Sequence, residues 1–158
     1  MKGAIICGYQ GIGKSTLAKS ENGYIDLESG NFWVDGRRDK EWYIIYCNIA
    51  IHLAKQGYKV FLSSHEVVRE HLAGLPTDPD VELLLCFPSI ELEMPWIGKL
   101  GKRFCETQLD KDWKAWMGAC SKYAENIHDL REQKGFRKVM LTSMTYDLQN
   151  IIDMVLEE

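Results

Sequence analysis

No apolar stretch in this 158-residue chain approaches the roughly 18 residues that a membrane-crossing helix requires. Its first ten residues, MKGAIICGYQ, lack the apolar core and small-residue cleavage site of a secretory signal. A cytoplasmic protein with no membrane partner is expected. Paired cysteines are missing as well. Cys7, Cys47, Cys86, Cys105 and Cys120 are odd in number and widely spaced, with no C-x-x-C to suggest zinc or dithiol chemistry. Reduced thiols are expected, three of them serving as small apolar residues inside strands or helices. Nor is there a surplus of positive charge. Nineteen Lys and Arg against 23 Asp and Glu give a formal net charge of -4, which disfavours a protein that grips nucleic acid with its whole surface. Repeats, linkers and low-complexity tracts are absent. What remains is a composition of 46% hydrophobic and 27% charged residues, that of a globular chain forming one domain over residues 1–158.

Short apolar runs alternate with helical patterns along the chain. Gly3 to Cys7 is a buried strand closed by Gly8; a helix follows from Ser15 to Ser20, then a second strand over Gly23 to Leu27. Asn31 to Lys40 is a loop with room for one helical turn. Glu41 to Lys55 carries Trp42, Ile45, Ile49 and Leu53 at helical spacing and stops at Gly57. Tyr58 to Leu62 is the third strand, and Ser63 or Ser64 is placed to cap a helix over Glu66 to Ala73. Val81 to Phe87 is the fourth strand. Glu91 to Phe104 is helical but interrupted by Pro95, Gly98 and Gly101, a composition suited to a mobile flap. A long helix over Lys111 to Lys134, with Trp113, Trp116, Cys120, Tyr123 and Ile127 on one side, precedes a fifth strand at Lys138 to Thr142 and a closing helix from Tyr146 to Leu156. The alternation implies an α/β fold of three layers, with a mainly parallel five-stranded sheet covered on both faces.

One motif carries chemistry. Gly8-Tyr9-Gln10-Gly11-Ile12-Gly13-Lys14-Ser15 fits G-x-x-x-x-G-K-[ST] and sits between the first strand and the first helix. Glycines at those places let successive backbone N–H groups turn inward to phosphate oxygens, and the positive end of the following helix adds to the field. Gly8, Gly11, Ile12 and Gly13 with Lys14, Ser15 and Thr16 are therefore the candidate nucleotide-binding residues. Lys14 would reach the terminal phosphates, and the Ser15 hydroxyl would ligate Mg²⁺.

In this motif, and in the size and order of its elements, the chain resembles the P-loop kinases of the nucleoside-monophosphate-kinase type, including the small shikimate- and gluconate-kinase-like members. The resemblance is specific over Gly8 to Ser15 and architectural elsewhere. It implies a P-loop NTPase fold with strand order 2-3-1-4-5, an acceptor-binding region near residues 28–56 and a lid near 89–106. It also implies transfer of the γ-phosphoryl group of ATP, with Mg²⁺, to a small anionic acceptor, foremost a nucleoside or deoxynucleoside monophosphate. A sugar acid, a shikimate-like metabolite or a polynucleotide 5′ end are the other acceptors that fit. A nucleotide-binding regulator without kinase activity is the alternative of a different class. Monomer and homodimer are both open.

Asp26 and Glu28 flank Leu27 at the end of the second strand, and an extended chain puts both carboxylates on one face. The resemblance makes Asp26 the residue that orients the acceptor or takes its proton and that helps hold Mg²⁺, with Glu28 in support. Arg37 and Arg38 fall in the acceptor region, where a guanidinium can hold phosphate or carboxylate through two bonds. Ser64 follows the third strand, and the resemblance places Arg69, on the next helix, toward the acceptor's anion. Arg103, one helical turn from Lys99, is the lid cation expected to neutralise charge in the transition state. One departure stands out: the third strand ends without the aspartate that many such proteins direct at Mg²⁺, leaving Asp26 or Ser64 to stand in.

Overall fold

A computed structural model describes residues 2–19 and 22–158; the expected end of the first helix at Ser20 lies outside these residues. The elements are β1 (Gly3–Gly8), α1 (Lys14–Ala18), β2 (Tyr24–Asp26), α2 (Trp42–Lys55), β3 (Lys59–Ser63), α3 (Glu66–Ala73), β4 (Val81–Pro88), α4 (Glu93–Thr107), α5 (Asp110–Glu132), β5 (Arg137–Leu141) and α6 (Leu148–Glu157). All strand pairings are parallel, and the sheet order is β2-β3-β1-β4-β5. Every residue of β1 is buried. A parallel strand with no polar face must be covered on both sides, and helices packed around the sheet supply that cover. Ile5 lies between Val60 of β3 and Leu83 of β4, and Gly8 lies between Ser63 and Cys86. The ends of β1 and β3 are thus level, which sets the segments after them side by side.

Cys7, Cys47 and Cys86 are buried in this core while Cys105 and Cys120 are exposed. Burial pushes the thiols of Cys7, Cys47 and Cys86 up to about 12, so all three stay protonated and unreactive at neutral pH. Among the described residues, no helix is long and apolar enough to cross a membrane.

Several local expectations are corrected. In α2 the buried face is Trp42, Tyr46, Cys47, Ala50 and Ala54; Ile45 is 58% exposed and Ile49 38%. A helix that is apolar nearly all round does not reveal by periodicity which stripe faces inward. The flap expected over Glu91 to Phe104 is instead a short 3-10 turn, Ile90–Leu92, that leads into the continuous helix α4. Pro95 falls in its first turn, where no backbone N–H is needed. Gly101 lets α5 approach, since a Cβ there would lie 2.8 Å from Trp116. On α5 the inward residues are Asp112, Ala119, Tyr123, Ile127 and Leu130, with Trp113 and Cys120 exposed. The shift accompanies a kink at Lys122, whose φ is -140°. Neither Ser63 nor Ser64 caps α3; the cap position is His65, without a side-chain bond. Between residues 29 and 40 the chain forms a short 3-10 helix, Ser29–Phe32, and then a tight turn closed by paired bonds between Val34 and Arg37.

Candidate functional site

The glycine loop joins β1 to α1, and its shape is held from outside. Trp96 of α4 donates its indole N–H to the carbonyl of Gln10 at 2.8 Å, and the Tyr146 hydroxyl donates to the carbonyl of Ile12 at 2.8 Å. Gly11 and Gly13 take φ values of 90° and 106°, open to glycine at little cost. A Cβ on Gly11 would also lie 2.9 Å from Leu100 and 3.2 Å from the Trp96 nitrogen. With the carbonyls of Gln10 and Ile12 engaged, the N–H groups of Gly11, Ile12 and Gly13 find no acceptor among the described residues. Lys99 completes the brace. Its ammonium lies 4.4 Å from the Trp96 ring centre and donates to the Tyr146 hydroxyl at 3.1 Å. Burial, then the nearby Arg103 charge, pull its pKa down.

Beside the loop opens a cleft of about 1160 Å³. Gly11, Ile12, Gly13, Ser15 and Thr16 form one wall, and Lys99, Lys102 and Arg103 of α4 face them. The remaining side comes from Met144 and Tyr146 to Gln149. Arg103 Nε is 3.2 Å from Asp112 of α5. Lys102 pairs at 4.0 Å with Glu106 in solvent, an exposed contact of little energetic weight.

Lys14 opens α1, and its ammonium donates to the carbonyl of Gly8 at 3.2 Å. Burial draws its pKa down, opposed by the negative charges of Asp26 and Glu28. The same group of charges acts on Asp26. Burial and then the Glu28 charge push it up to about 6, against a downward pull from Lys14. Both carboxylates thus act within one field, as their spacing in the sequence suggested. The end of β2 is fixed by Tyr46, whose hydroxyl donates to the carbonyl of Leu27 at 2.7 Å and accepts from the N–H of Ser63 at 2.9 Å. At the end of β3, the Ser63 hydroxyl is buried with no hydrogen-bond partner among the described residues.

On the other flank of the loop, Ser64, His65 and Arg69 line a second cleft of about 340 Å³ together with Gln10 and Lys122. Arg69 is only 7% exposed. Its Nε donates to the carbonyl of Ser64 at 2.9 Å and its Nη1 to Gln133 at 2.6 Å, and among the described residues no carboxylate pairs with it. Burial lowers the pKa of His65, and the charges of Arg38, Lys14 and Arg69 lower it further. The two arginines of the preceding loop separate. Arg38 stacks 3.8 Å over Trp42 and 4.7 Å from Trp33, whereas Arg37 lies exposed in the turn. Phe32, Trp42 and Tyr46 pack together as core.

The sequence therefore located the loop, the cation-bearing helix and the acidic pair. It did not locate Trp96, Tyr146, Tyr46 or Asp112, because a side chain that acts by bonding a distant carbonyl or guanidinium leaves no spacing signal. Among the described residues, no three His, Cys, Asp or Glu side chains cluster as metal ligands would.

No family model matches the chain, and no curated protein matches it either. Among solved structures, an uncharacterized protein from Eubacterium ventriosum ATCC 27560 is similar over 99% of this chain and 97% of its own, at 12% sequence identity and a TM-score of 0.47.

Proposed function

We propose that the chain is an ATP- and Mg²⁺-dependent phosphotransferase with a P-loop kinase fold, acting on a small anionic acceptor, in the first place a nucleoside or deoxynucleoside monophosphate. The observation that carries this reading is the single cleft in which Gly11 to Gly13 and Ser15 face the α4 cations. The residues present fit a triphosphate. A Cβ on Gly8 would lie 2.4 Å from the end of the Ile12 side chain, and the N–H groups of Gly11, Ile12 and Gly13 have no acceptor among the described residues. Asp26, whose ionisation is made costlier by burial and by the Glu28 charge, fits a site that receives a divalent cation. ATP with Mg²⁺ would supply the transferable phosphoryl group and neutralise part of its charge.

Each residue then has a task. The N–H groups of Gly11, Ile12 and Gly13 bind phosphate oxygens, and Lys14 leaves the Gly8 carbonyl for the terminal phosphates. Ser15 and Asp26 are the protein's metal partners, Asp26 also orienting the acceptor hydroxyl or taking its proton. Arg103 meets the charge that develops on transfer. Arg69, a buried arginine that pairs with no carboxylate among the described residues, holds the acceptor's anion beside Ser64, with Arg38 braced on its two indoles nearby. A second reading, a sugar acid or shikimate-like acceptor, is favoured by the second cleft, whose lining is mostly polar and includes Ser64, His65 and Arg69.

An ADP-release screen with ATP and Mg²⁺ across all ribo- and deoxyribonucleoside monophosphates, gluconate, shikimate and a 5′-hydroxyl oligonucleotide tests this reading. One acceptor raising ADP formation well above a Lys14→Met blank supports it. A flat screen from a chain that still binds ATP removes the transfer step.

Asp26→Asn is expected to abolish turnover yet stabilise the fold. A carboxyl raised to about 6 is neutral in both folded and unfolded chains at low pH, and its ionisation penalises the folded state as pH rises from about 4 through about 6. Asn removes that penalty, so the gain is expected above pH 6, of about 1–3 kcal/mol, read from urea melts of wild type and variant at pH 4 and pH 8 without divalent cation. Equal melts at pH 8 would count against the electrostatic account. Tyr146→Phe deletes the donor to Ile12 and is expected to weaken ATP binding roughly fivefold, about the worth of one hydrogen bond, by titration calorimetry.

A further inference from the structure

The geometry points to Asp112 as the positioning residue for Arg103, an inference that rests on the phosphotransfer reading above. Asp112 lies in the first turn of α5, only 5% exposed. One carboxylate oxygen is 3.2 Å from Arg103 Nε, and the other accepts from the hydroxyl of Thr107. Thr107 is the last residue of α4, and its oxygen also accepts from the N–H of Leu109. The N–H of Asp112 donates to the carbonyl of Leu109. The carboxylate is therefore latched to the turn between α4 and α5, and neither oxygen is left to swing.

The atom it grips decides what the arginine can do. An ion pair made on the Nε side draws the side chain toward α5 while the two terminal amino groups, the edge suited to phosphate oxygens, have no partner among the described residues. Arg103 is 41% exposed at its side chain and lines the cleft with Ser15 and Lys99. Left alone, it would not stay there. Lys14 and Lys99 both sense its charge, so like-charge repulsion favours swinging Arg103 out to solvent. Asp112 opposes that motion from behind, and a long side chain held in place before substrate arrives loses little freedom in the transition state.

The competing explanation is a purely structural ion pair that ties the two helices. Asp112→Asn, Arg103→Ala and the double variant separate them. Turnover is measured with the acceptor found in the screen, ATP and ADP affinities by titration calorimetry, and folding by thermal melts. Asp112→Asn is expected to lower kcat roughly 10- to 30-fold with the KM for ATP within about twofold. In the Arg103→Ala background it is expected to cost no more than about twofold, because its partner is gone. Asp112→Glu should restore part of the loss. Should Asp112→Asn fail to fold, Thr107→Val loosens the same latch and is expected to show the same dependence on Arg103. An equal loss in both backgrounds, or none in wild type, overturns the inference. If no acceptor supports turnover but ATP binds, the preference for ATP over ADP reads the same coupling: its loss in Asp112→Asn only when Arg103 is present supports the role, and its persistence overturns it. A chain that binds neither nucleotide sinks both readings.

Discussion

Lys14→Met is expected to lower phosphoryl transfer by about a thousandfold or more while leaving the melting temperature at pH 7 equal or slightly higher. The two halves of that result have one cause. The ammonium is drawn down by burial more than Asp26 and Glu28 hold it up, so the charged form weighs against the folded state. The sign follows directly: a lysine whose pKa falls on folding destabilises at any pH where the unfolded chain keeps it charged, and Met removes that burden while filling a similar volume. The single bond lost is the long one to the Gly8 carbonyl. Turnover with the acceptor from the screen and a melt in the same buffer check both halves. A variant that retains a tenth of the activity would remove Lys14 from the mechanism, and one that melts 10 °C lower would make it a structural residue.

Gly3→Ala is expected to produce the largest loss of stability of any single methyl added to the chain, at least about 3 kcal/mol and so on the order of 10 °C in melting temperature. A Cβ there would lie 1.8 Å from the carbonyl oxygen of Ala54, 2.6 Å from its carbon and 2.8 Å from the carbonyl oxygen of Tyr58. These are backbone atoms and cannot turn aside. β1 is hydrogen-bonded on both edges, to β3 and β4, so the strand cannot slide away either. The close approach lets α2 and the turn after it press on the first strand, where the N–H of Ala4 reaches the carbonyl of Tyr58 at 3.1 Å. Urea unfolding of the purified variant, compared with wild type, measures the effect; a midpoint shift below 0.5 M would show that the end of α2 can yield.

What was legible in the sequence follows from what a single chain writes locally. An apolar run closed by glycine can only be a strand end, so β1 and the loop after it could be placed to within a residue, and the alternation of runs set the parallel sheet. Asp26 and Glu28 were found because their spacing in an extended chain is itself geometry. The face of α2 was not legible, since Trp42 to Ala54 contains no charged residue to mark solvent, and Ile45 and Ile49 proved exposed. Pro95, Gly98 and Gly101 suggested an irregular flap because the sequence does not say that Trp116 will press on Gly101. Nothing in the sequence marks Asp112 out from the chain's other acids. Its value depends on Arg103 lying across the hairpin, and that is a property of the packing of α4 on α5.

The order in which this site comes together on the ribosome runs against the order of its parts. Residues 8–15 emerge before every residue that braces them, and β1 can pair with β3 once residue 63 has emerged. Yet the indole that holds the Gln10 carbonyl comes from position 96, and the hydroxyl that holds the Ile12 carbonyl from position 146. A nascent chain stalled before position 146 has every glycine of the loop and the lysine besides, but no second clamp on its backbone. Both carbonyls of the loop are therefore held only after α4 and the segment before α6 have joined the sheet, so the loop takes its final shape late in folding.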